Sequence, residues 1–232
     1  MCPGASPECF ANCLIHSGQM IMPHARKARI RKTRLLIDDP ERFGRLLVKD
    51  IDSHLRWCHK NGMLPSFRFN GTSDFPWETW PVPHLATTLH EYIADAAPGA
   101  VVNEYTKRYG VMRRWLEGAY HPNLHMTFSL HEMNELQARS ILRLGGSVAV
   151  VFRTKKGEAL PPSWFGRPVF DGDGDDLRWM DRVRAASLGL DSSNGLVVGL
   201  RAKGKLARTV SPFAVDPSVG STRPTIALPL AA

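Results

Sequence analysis

Three cysteines lie within the first thirteen residues of the chain: Cys2, Cys9 and Cys13. Six residues separate the first pair and three separate the second. Thiolates this close in sequence can converge on one metal centre, and three of them can hold an iron–sulfur cluster with one open iron. A fourth ligand, His16 or Cys58, would instead close a tetrahedral zinc site. A cysteine cluster without metal remains an alternative, because neither spacing is that of a standard zinc-finger pair.

The start of the chain indicates the cellular compartment in which the cysteines are expected. MCPGA lacks the charged region and apolar core of a secretory signal, and the sequence has no run of about 18 apolar residues. We therefore expect a cytoplasmic protein with no membrane partner. Clustered cysteines in that compartment are more often metal ligands or catalytic groups than disulfides.

A second set of candidate residues follows six short apolar runs, where each run gives way to polar side chains. The candidate catalytic residues are Asn70, Asp74, Tyr105, Lys107, Ser129, Asp171 and Lys203, and the candidate cofactor-binding residues are Thr72, Ser73 and Asp173. Asp74 or Asp171 would act as a base. Lys107 or Lys203 would bind an anionic substrate. The alternative is that loops are polar in any case.

Charge is distributed unevenly along a chain whose formal net charge is +8. Residues 24–34, HARKARIRKTR, contain six Lys and Arg and no acid. Such a run can bind nucleic acid, or it can be the solvated face of a helix. A second basic group lies in 201–208, and DGDGDDLRWMD, 171–181, is acidic. The acidic run is not an EF-hand, because its sixth and twelfth positions hold Asp176 and Arg182.

Elements that could position these residues follow from composition and periodicity. The 232 residues are 43% hydrophobic and 22% charged, which is ordinary for a globular protein. Apolar spacing predicts helices over 24–37, 40–60, 84–96 and 131–144. Strands are predicted at 64–69, 100–102, 124–128, 147–152, 168–170 and 196–200. Alternating strands and helices predict an α/β fold, a partial or open (β/α) barrel of about six mainly parallel strands with flanking helices. We expect one domain over 1–208 and a loosely ordered tail over 209–232.

Several segments together resemble the gene product 88 family of bacteriophages, plasmids and bacterial mobile elements. They are CPGASPECFANCL, ARIRKTRLL, FRFNGTSDFPWE, NEYTKR, HMTFSL, VAVVFR, PVFDGDGDDLRWMD and GLVVGLRAKGKL. The family is uncharacterised, so the resemblance implies little mechanism. A cysteine triplet before a partial barrel more distantly resembles radical S-adenosylmethionine enzymes. Their cysteines are three and then two residues apart, and NGTSD replaces their glycine-rich motif. These departures argue against S-adenosylmethionine chemistry.

Three functions remain open at this point. The leading one is an iron–sulfur enzyme that acts on an anionic small molecule or nucleotide, with the metal on Cys2, Cys9, Cys13 and His16. The second is a zinc-stapled nucleic-acid-binding protein that uses residues 24–34. The third is a truncated, inactive copy, because the family resemblance implies residues before the cysteine motif.

Overall fold

A computed structural model describes residues 2–219 as a mixed α/β fold. The helices of this part of the chain, numbered α1 to α7, are Pro7–Ala11, Pro23–Asp38, Pro40–Lys60, Leu89–Ala96, Tyr109–Leu116, Glu135–Arg143 and Asp181–Ser187. The strands, numbered β1 to β9, are Ser66–Phe67, Pro81–Val82, Thr87–Thr88, Val101–Thr106, Leu124–Ser129, Ser147–Phe152, Ser163–Trp164, Arg167–Asp171 and Leu196–Arg201.

Seven of these strands form one open sheet in the order β1-β4-β5-β6-β9-β8-β7. The β1–β4, β5–β6, β6–β9 and β8–β9 pairs are parallel, and the short β7 runs antiparallel to its neighbour β8. Strands β2 and β3 form a separate antiparallel pair. The fold class is confirmed: the sheet is mostly parallel, flanked by helices and not closed, as in a partial barrel.

The central strands form because their sequences are continuous apolar runs, as a sheet covered on both faces requires. SVAVVF of β6 pairs over its whole length with LVVGLR of β9, from Ser147 opposite Leu196 to Phe152 opposite Arg201. The turn into β9 needs Gly195, which has φ +97°. A Cβ there would lie 2.4 Å from the carbonyl oxygen of Leu142, so only glycine fits.

Two predicted helices, 24–37 and 40–60, are observed within one residue of their predicted ends. The second, α3, begins after Asp39, whose side chain accepts the backbone N–H of Arg42 at 3.0 Å. The helix predicted over 84–96 begins only at Leu89, because Thr88 and Glu91 form a capping box that fixes its first turn. Helices α1, α5 and α7 were not predicted.

The chain divides into two compact units. Within the described residues, the first unit comprises 2–3, 13–105 and 117–126. Its interior is an aromatic cluster around Trp77, which stacks on Phe43 of α3 with ring centroids 6.1 Å apart and contacts Phe75 at 4.5 Å. Stacking at these distances adds to the free energy that burial of the rings already supplies.

The second unit comprises 4–12, 106–116 and, within the described residues, 127–219. One small core joins Phe170, Ala185 and Leu196. Another joins Ala202, Leu206 and Ala214.

The predicted tail over 209–232 is described only in part. Ser211 and Ala214 are buried, and Val215 bridges Phe152 at the end of β6. Residues 220–232 lie outside the described part of the chain. A single domain ending at residue 208 therefore stays a prediction. Among residues 2–219, no helix is both long and apolar enough to cross a bilayer.

One ion pair of the second unit is almost completely buried. Arg178 lies 3.0 Å from Asp181, and their side chains are 2% and 1% exposed. The guanidinium also donates to the carbonyl oxygen of Gly172 at 3.2 Å. Burial raises the pKa of Asp181 to about 6, although Arg178 opposes the shift. The acidic segment is thus partly a structural element, because Arg178 ties it to the end of β8.

Replacing Arg178 should show how far a buried carboxylate without a counterion lowers the free energy of unfolding. We expect Arg178→Met to lower the free energy of unfolding at pH 7 by about 3–5 kcal/mol, because Asp181 loses its counterion. The deficit should shrink towards about pH 4, where the carboxyl group is neutral in the folded state. Urea unfolding at both pH values measures it. Arg184→Met, which removes the exposed pair with Asp175, should cost less than about 1 kcal/mol. Equal losses in the two variants would contradict this account.

Candidate functional site

Lys107 and Ser129, both predicted from sequence, meet in the second unit. Lys107 directly follows β4, and Ser129 is the last residue of β5. The ammonium Nζ donates a hydrogen bond to the hydroxyl oxygen of Ser129 at 2.9 Å. We call Lys107, Ser129, His131 and Glu132 the lysine–serine cluster.

The loop after β5 is held in place by Asn134. Its side chain donates to the carbonyl oxygen of Ser129 at 3.1 Å and accepts the backbone N–H of His131 at 2.8 Å. The helix predicted over 131–144 therefore begins only at Glu135, because residues 130–134 form this stapled turn. The turn fixes the backbone that carries three members of the lysine–serine cluster.

His131 is a neutral imidazole with a defined tautomer. Its Nδ1 accepts the backbone N–H of Met133 at 3.2 Å, so the ring proton is on Nε2. Burial lowers the pKa of His131; Glu132 opposes this shift and Lys107 adds to it. Near neutral pH, His131 is a hydrogen-bond donor through Nε2.

Glu132 anchors the N-terminal cysteine segment. Its carboxylate accepts the Ser6 hydroxyl at 2.7 Å and the backbone N–H of Glu8 at 3.3 Å. Ser6 in turn caps α1 by accepting the backbone N–H of Cys9 at 3.1 Å. Gly4 lies against Lys107, where an added Cβ would be 2.9 Å from the lysine Cβ. Glycine is therefore required at position 4 for the segment to pack against Lys107.

The lysine–serine cluster contains donors of one kind, with Lys107 and Ser129 in contact and His131 two residues after Ser129 in the chain. An ammonium group, a serine hydroxyl and an imidazole Nε2–H are the groups that recognise phosphate or carboxylate oxygens. The Ser129 hydroxyl accepts from Lys107, which leaves its own hydrogen available to donate. The carboxylate of Glu132 is already engaged by Ser6 and Glu8.

In the first unit, a buried carboxylate organises the loop after β1. Glu104 of β4 is 3% exposed. It accepts the backbone N–H of Phe69 at 2.8 Å and that of Asn70 at 3.0 Å. Burial raises the pKa of Glu104 to about 7, against the opposing effects of these hydrogen bonds and of Arg68. A carboxyl group with such a pKa can exchange a proton near neutral pH.

The predicted site residues Asn70, Ser73 and Asp74 lie in this loop. The Asn70 side chain donates to the carbonyl oxygen of Phe75 and accepts its backbone N–H, both at 3.0 Å. It also accepts the Ser73 hydroxyl at 2.7 Å. Asp74 is buried. Asn70 is thus a clamp that closes the loop.

Two other predicted residues flank the loop. The Cys2 thiol lies 3.8 Å from the carbonyl oxygen of Thr72. The Tyr105 ring lies 4.5 Å below the guanidinium of Arg68, a cation–π contact that orients both side chains.

The remaining predicted residues form a charge cluster in the second unit. Arg201 contacts Asp171 at 2.8 Å and Asp173 at 3.0 Å, and Lys203 contacts Asp173 at 2.8 Å. The structure brings Asp171, Asp173 and Lys203 together, but their charges largely neutralise one another. Their predicted catalytic and binding roles stay predictions, as do those of the loop residues.

Of the predicted metal ligands, Cys2, Cys13 and His16 belong to the first unit and Cys9 belongs to the second. Within residues 2–219, no group of three or more His, Cys, Asp or Glu side chains could hold a metal ion. Cys58 is buried on α3, with its sulfur 3.5 Å from Nε2 of His54. Metal binding by Cys2, Cys9, Cys13 and His16 stays a prediction.

Comparison with known families settles the relationship of this chain. The profile of a family described as Gene product 88 matches residues 1–215. The chain belongs to the gene product 88 family. Searches of curated proteins and of solved structures find no match. The family region includes Gly4, Lys107, Ser129 and Glu132. Two segments that carry the resemblance, NEYTKR and HMTFSL, contain Lys107 and Ser129 of the lysine–serine cluster.

Three residues of these regions were not predicted as site residues: Glu132, Glu104 and Arg68. A signal existed for two of them. Ser6 before Pro7 is a helix start, which needs an acceptor or anion near its free N–H groups. Glu104 is an acid inside an apolar strand, and a buried carboxylate requires donors. Arg68 carried no comparable signal.

The raised pKa of Glu104 predicts how stability depends on pH. The folded state holds the Glu104 proton up to about pH 7, whereas an ordinary glutamate loses it near 4.5. The folded state therefore binds more protons between these values, and its stability falls as the pH rises through them. Relative to Glu104→Gln, the wild-type chain should lose about 3 kcal/mol of unfolding free energy over this range.

Denaturant unfolding of wild type and Glu104→Gln across this pH interval measures the difference between their unfolding free energies. The contributions of other titrating groups cancel in that difference. Glu41→Gln, at an exposed position of α3, should run parallel to wild type. Parallel curves for Glu104→Gln and wild type would show that Glu104 keeps an ordinary pKa.

Proposed function

We propose that the chain is a cytoplasmic enzyme of phage or plasmid type that acts on an anionic small molecule or nucleotide at the lysine–serine cluster. The observation that carries the proposal is the 2.9 Å contact between Lys107 and Ser129 at the ends of neighbouring strands. In parallel α/β folds, ligands bind outside the carboxyl ends of strands, where the following loops converge.

The chemistry of the cluster supports an anionic ligand. Lys107 supplies the charge, and Ser129 and the Nε2–H of His131 supply directed hydrogen bonds to an oxyanion. Glu132 positions the N-terminal segment beside Lys107 and does not itself contact the ligand in this scheme. Asp74 and Asp171, the bases expected from the sequence, stay predictions.

Removing the lysine charge tests the proposal. We expect at least one of AMP, ADP, ATP and inorganic pyrophosphate to bind the full chain, as measured by isothermal titration calorimetry. Lys107→Met should weaken that binding about 10- to 100-fold, because a hydrogen bond to a charged group contributes about 1.5–3 kcal/mol. Ser129→Ala should weaken it less, since it removes only a neutral donor.

Lys155→Met is the matched control, because Lys155 is an exposed lysine outside the cluster. Its binding should equal that of wild type. Equal affinities for Lys107→Met and wild type, or no binding of any of the four probes, would exclude this site.

Metal binding by the cysteine motif is a separate part of the proposal. The support is the spacing of Cys2, Cys9 and Cys13, with His16 as a further ligand. An iron–sulfur cluster is the first expectation and zinc the alternative.

Anaerobic purification followed by metal and sulfide analysis distinguishes the two metals. We expect iron with sulfide and a brown colour for a cluster, or about one zinc per chain and no colour for a staple. Cys9→Ser and Cys13→Ser should each lose the metal, whereas Cys58→Ser should retain it. Wild-type metal content in Cys9→Ser and Cys13→Ser would refute the assignment.

A further inference from the structure

Helix α2 presents a row of exposed basic side chains. Arg26, Lys27, Arg31, Lys32 and Arg34 are all exposed, and the only buried residue of the helix is Leu36. Residues 23–37 contain no acid. Arg29 differs from the others, because it donates to the carbonyl oxygen of Met20 at 2.9 Å and so fixes the preceding turn.

These charges are not compensated within residues 2–219. None of the five exposed basic side chains of α2 forms an ion pair in that part of the chain, in contrast to the second basic group of the sequence. There, Arg201 and Lys203 are paired with Asp171 and Asp173. Of the two basic segments in this chain of net charge +8, α2 therefore carries the positive charge that is less neutralised by ion pairs.

The row has a regular geometry. Lys27, Arg31 and Arg34 are four and three residues apart, so they share one face of the helix. With Ile30 they line a shallow surface depression. Seven residues of helix span about 10 Å. Successive phosphates of one strand of a nucleic acid advance about 3.4 Å along the axis, so the row matches about three of them.

The shape of the depression selects the kind of ligand. All four lining residues come from α2, so the described residues supply no opposing wall. A small molecule needs an enclosed site that covers most of its surface. A linear polyanion does not, because it lies along the row and makes one contact per charge.

The composition of α2 does not favour a membrane surface. A helix that lies in a bilayer interface needs a broad apolar face with Trp, Phe or Leu. The leucines of α2, Leu35 and Leu36, are half-buried and buried, and its exposed apolar residues are Ile30 and Ile37.

We propose that the exposed face of α2 binds the phosphate backbone of a nucleic acid through Lys27, Arg31 and Arg34. This surface is independent of the lysine–serine cluster. Because its contacts are to phosphates, binding should show little sequence preference and should weaken steeply with salt.

The test is fluorescence anisotropy with the full chain and labelled probes of mixed sequence: a DNA duplex, a DNA single strand and an RNA single strand. We expect at least one probe to bind at about 50 mM salt and to lose affinity by 200 mM. The triple variant Lys27→Ala/Arg31→Ala/Arg34→Ala should lower the slope of log K against log salt by about 2–3 and the affinity at low salt by about tenfold or more. Alanine favours helix, so α2 should stay folded, as circular dichroism would verify.

The control variant Lys155→Ala/Lys156→Ala/Lys205→Ala removes the same charge from exposed positions outside α2. It should keep the wild-type slope and most of the affinity. Equal losses in both triple variants would overturn the proposal, because binding would then follow net charge alone. So would the absence of binding to all three nucleic-acid probes at low salt. Binding to vesicles with phosphatidylglycerol but to no nucleic acid would overturn it in favour of a membrane surface.

Discussion

Carboxylates that accept hydrogen bonds from neighbouring segments determine the shape of both candidate regions. Where a parallel strand ends, the backbone N–H and C=O groups of the following loop no longer bond to a neighbouring strand. Each such group needs another hydrogen-bond partner. Glu104 supplies acceptors for Phe69 and Asn70 in the first unit. In the second unit, Glu132 accepts the side-chain hydroxyl of Ser6 and the backbone N–H of Glu8. Each carboxylate is close in sequence to a predicted site residue, Tyr105 in one case and Ser129 in the other.

The strands could be predicted because their signal is local. Runs such as SVAVVF need only apolar and β-branched residues in sequence, and all six predicted strands are present in the sheet. Helix ends were harder to predict, since they depend on side chains that compete with the helix. The box of Thr88 with Glu91, and the turn closed by Asn134, each delay a helix by about one turn.

Residues of the candidate site could be predicted from the sequence, but the contacts between them could not. Lys107 and Ser129 were both chosen because they follow apolar runs, whereas their hydrogen bond joins positions 22 apart. The same limit affects charge: Asp171 and Lys203 look equally available in sequence, and Arg201 changes that by pairing across 30 residues. Glu132 was overlooked because its partners lie at the other end of the chain. Long-range electrostatic pairing is a property of the fold and has no periodicity to detect.

The attachment of the N-terminal segment also constrains the order in which the protein can be made. The Glu8 carboxylate accepts a hydrogen bond from the Ser211 hydroxyl at 2.6 Å, across 203 residues of sequence. The side-chain amide of Asn12 donates to the hydroxyl oxygen of Ser211. A ribosome that adds about 5–20 residues per second needs roughly 10–40 s to reach Ser211 after Glu8. During that time the cysteine segment is outside the ribosome without one of its partners. Its thiols are thus exposed before the last contact of the segment can form.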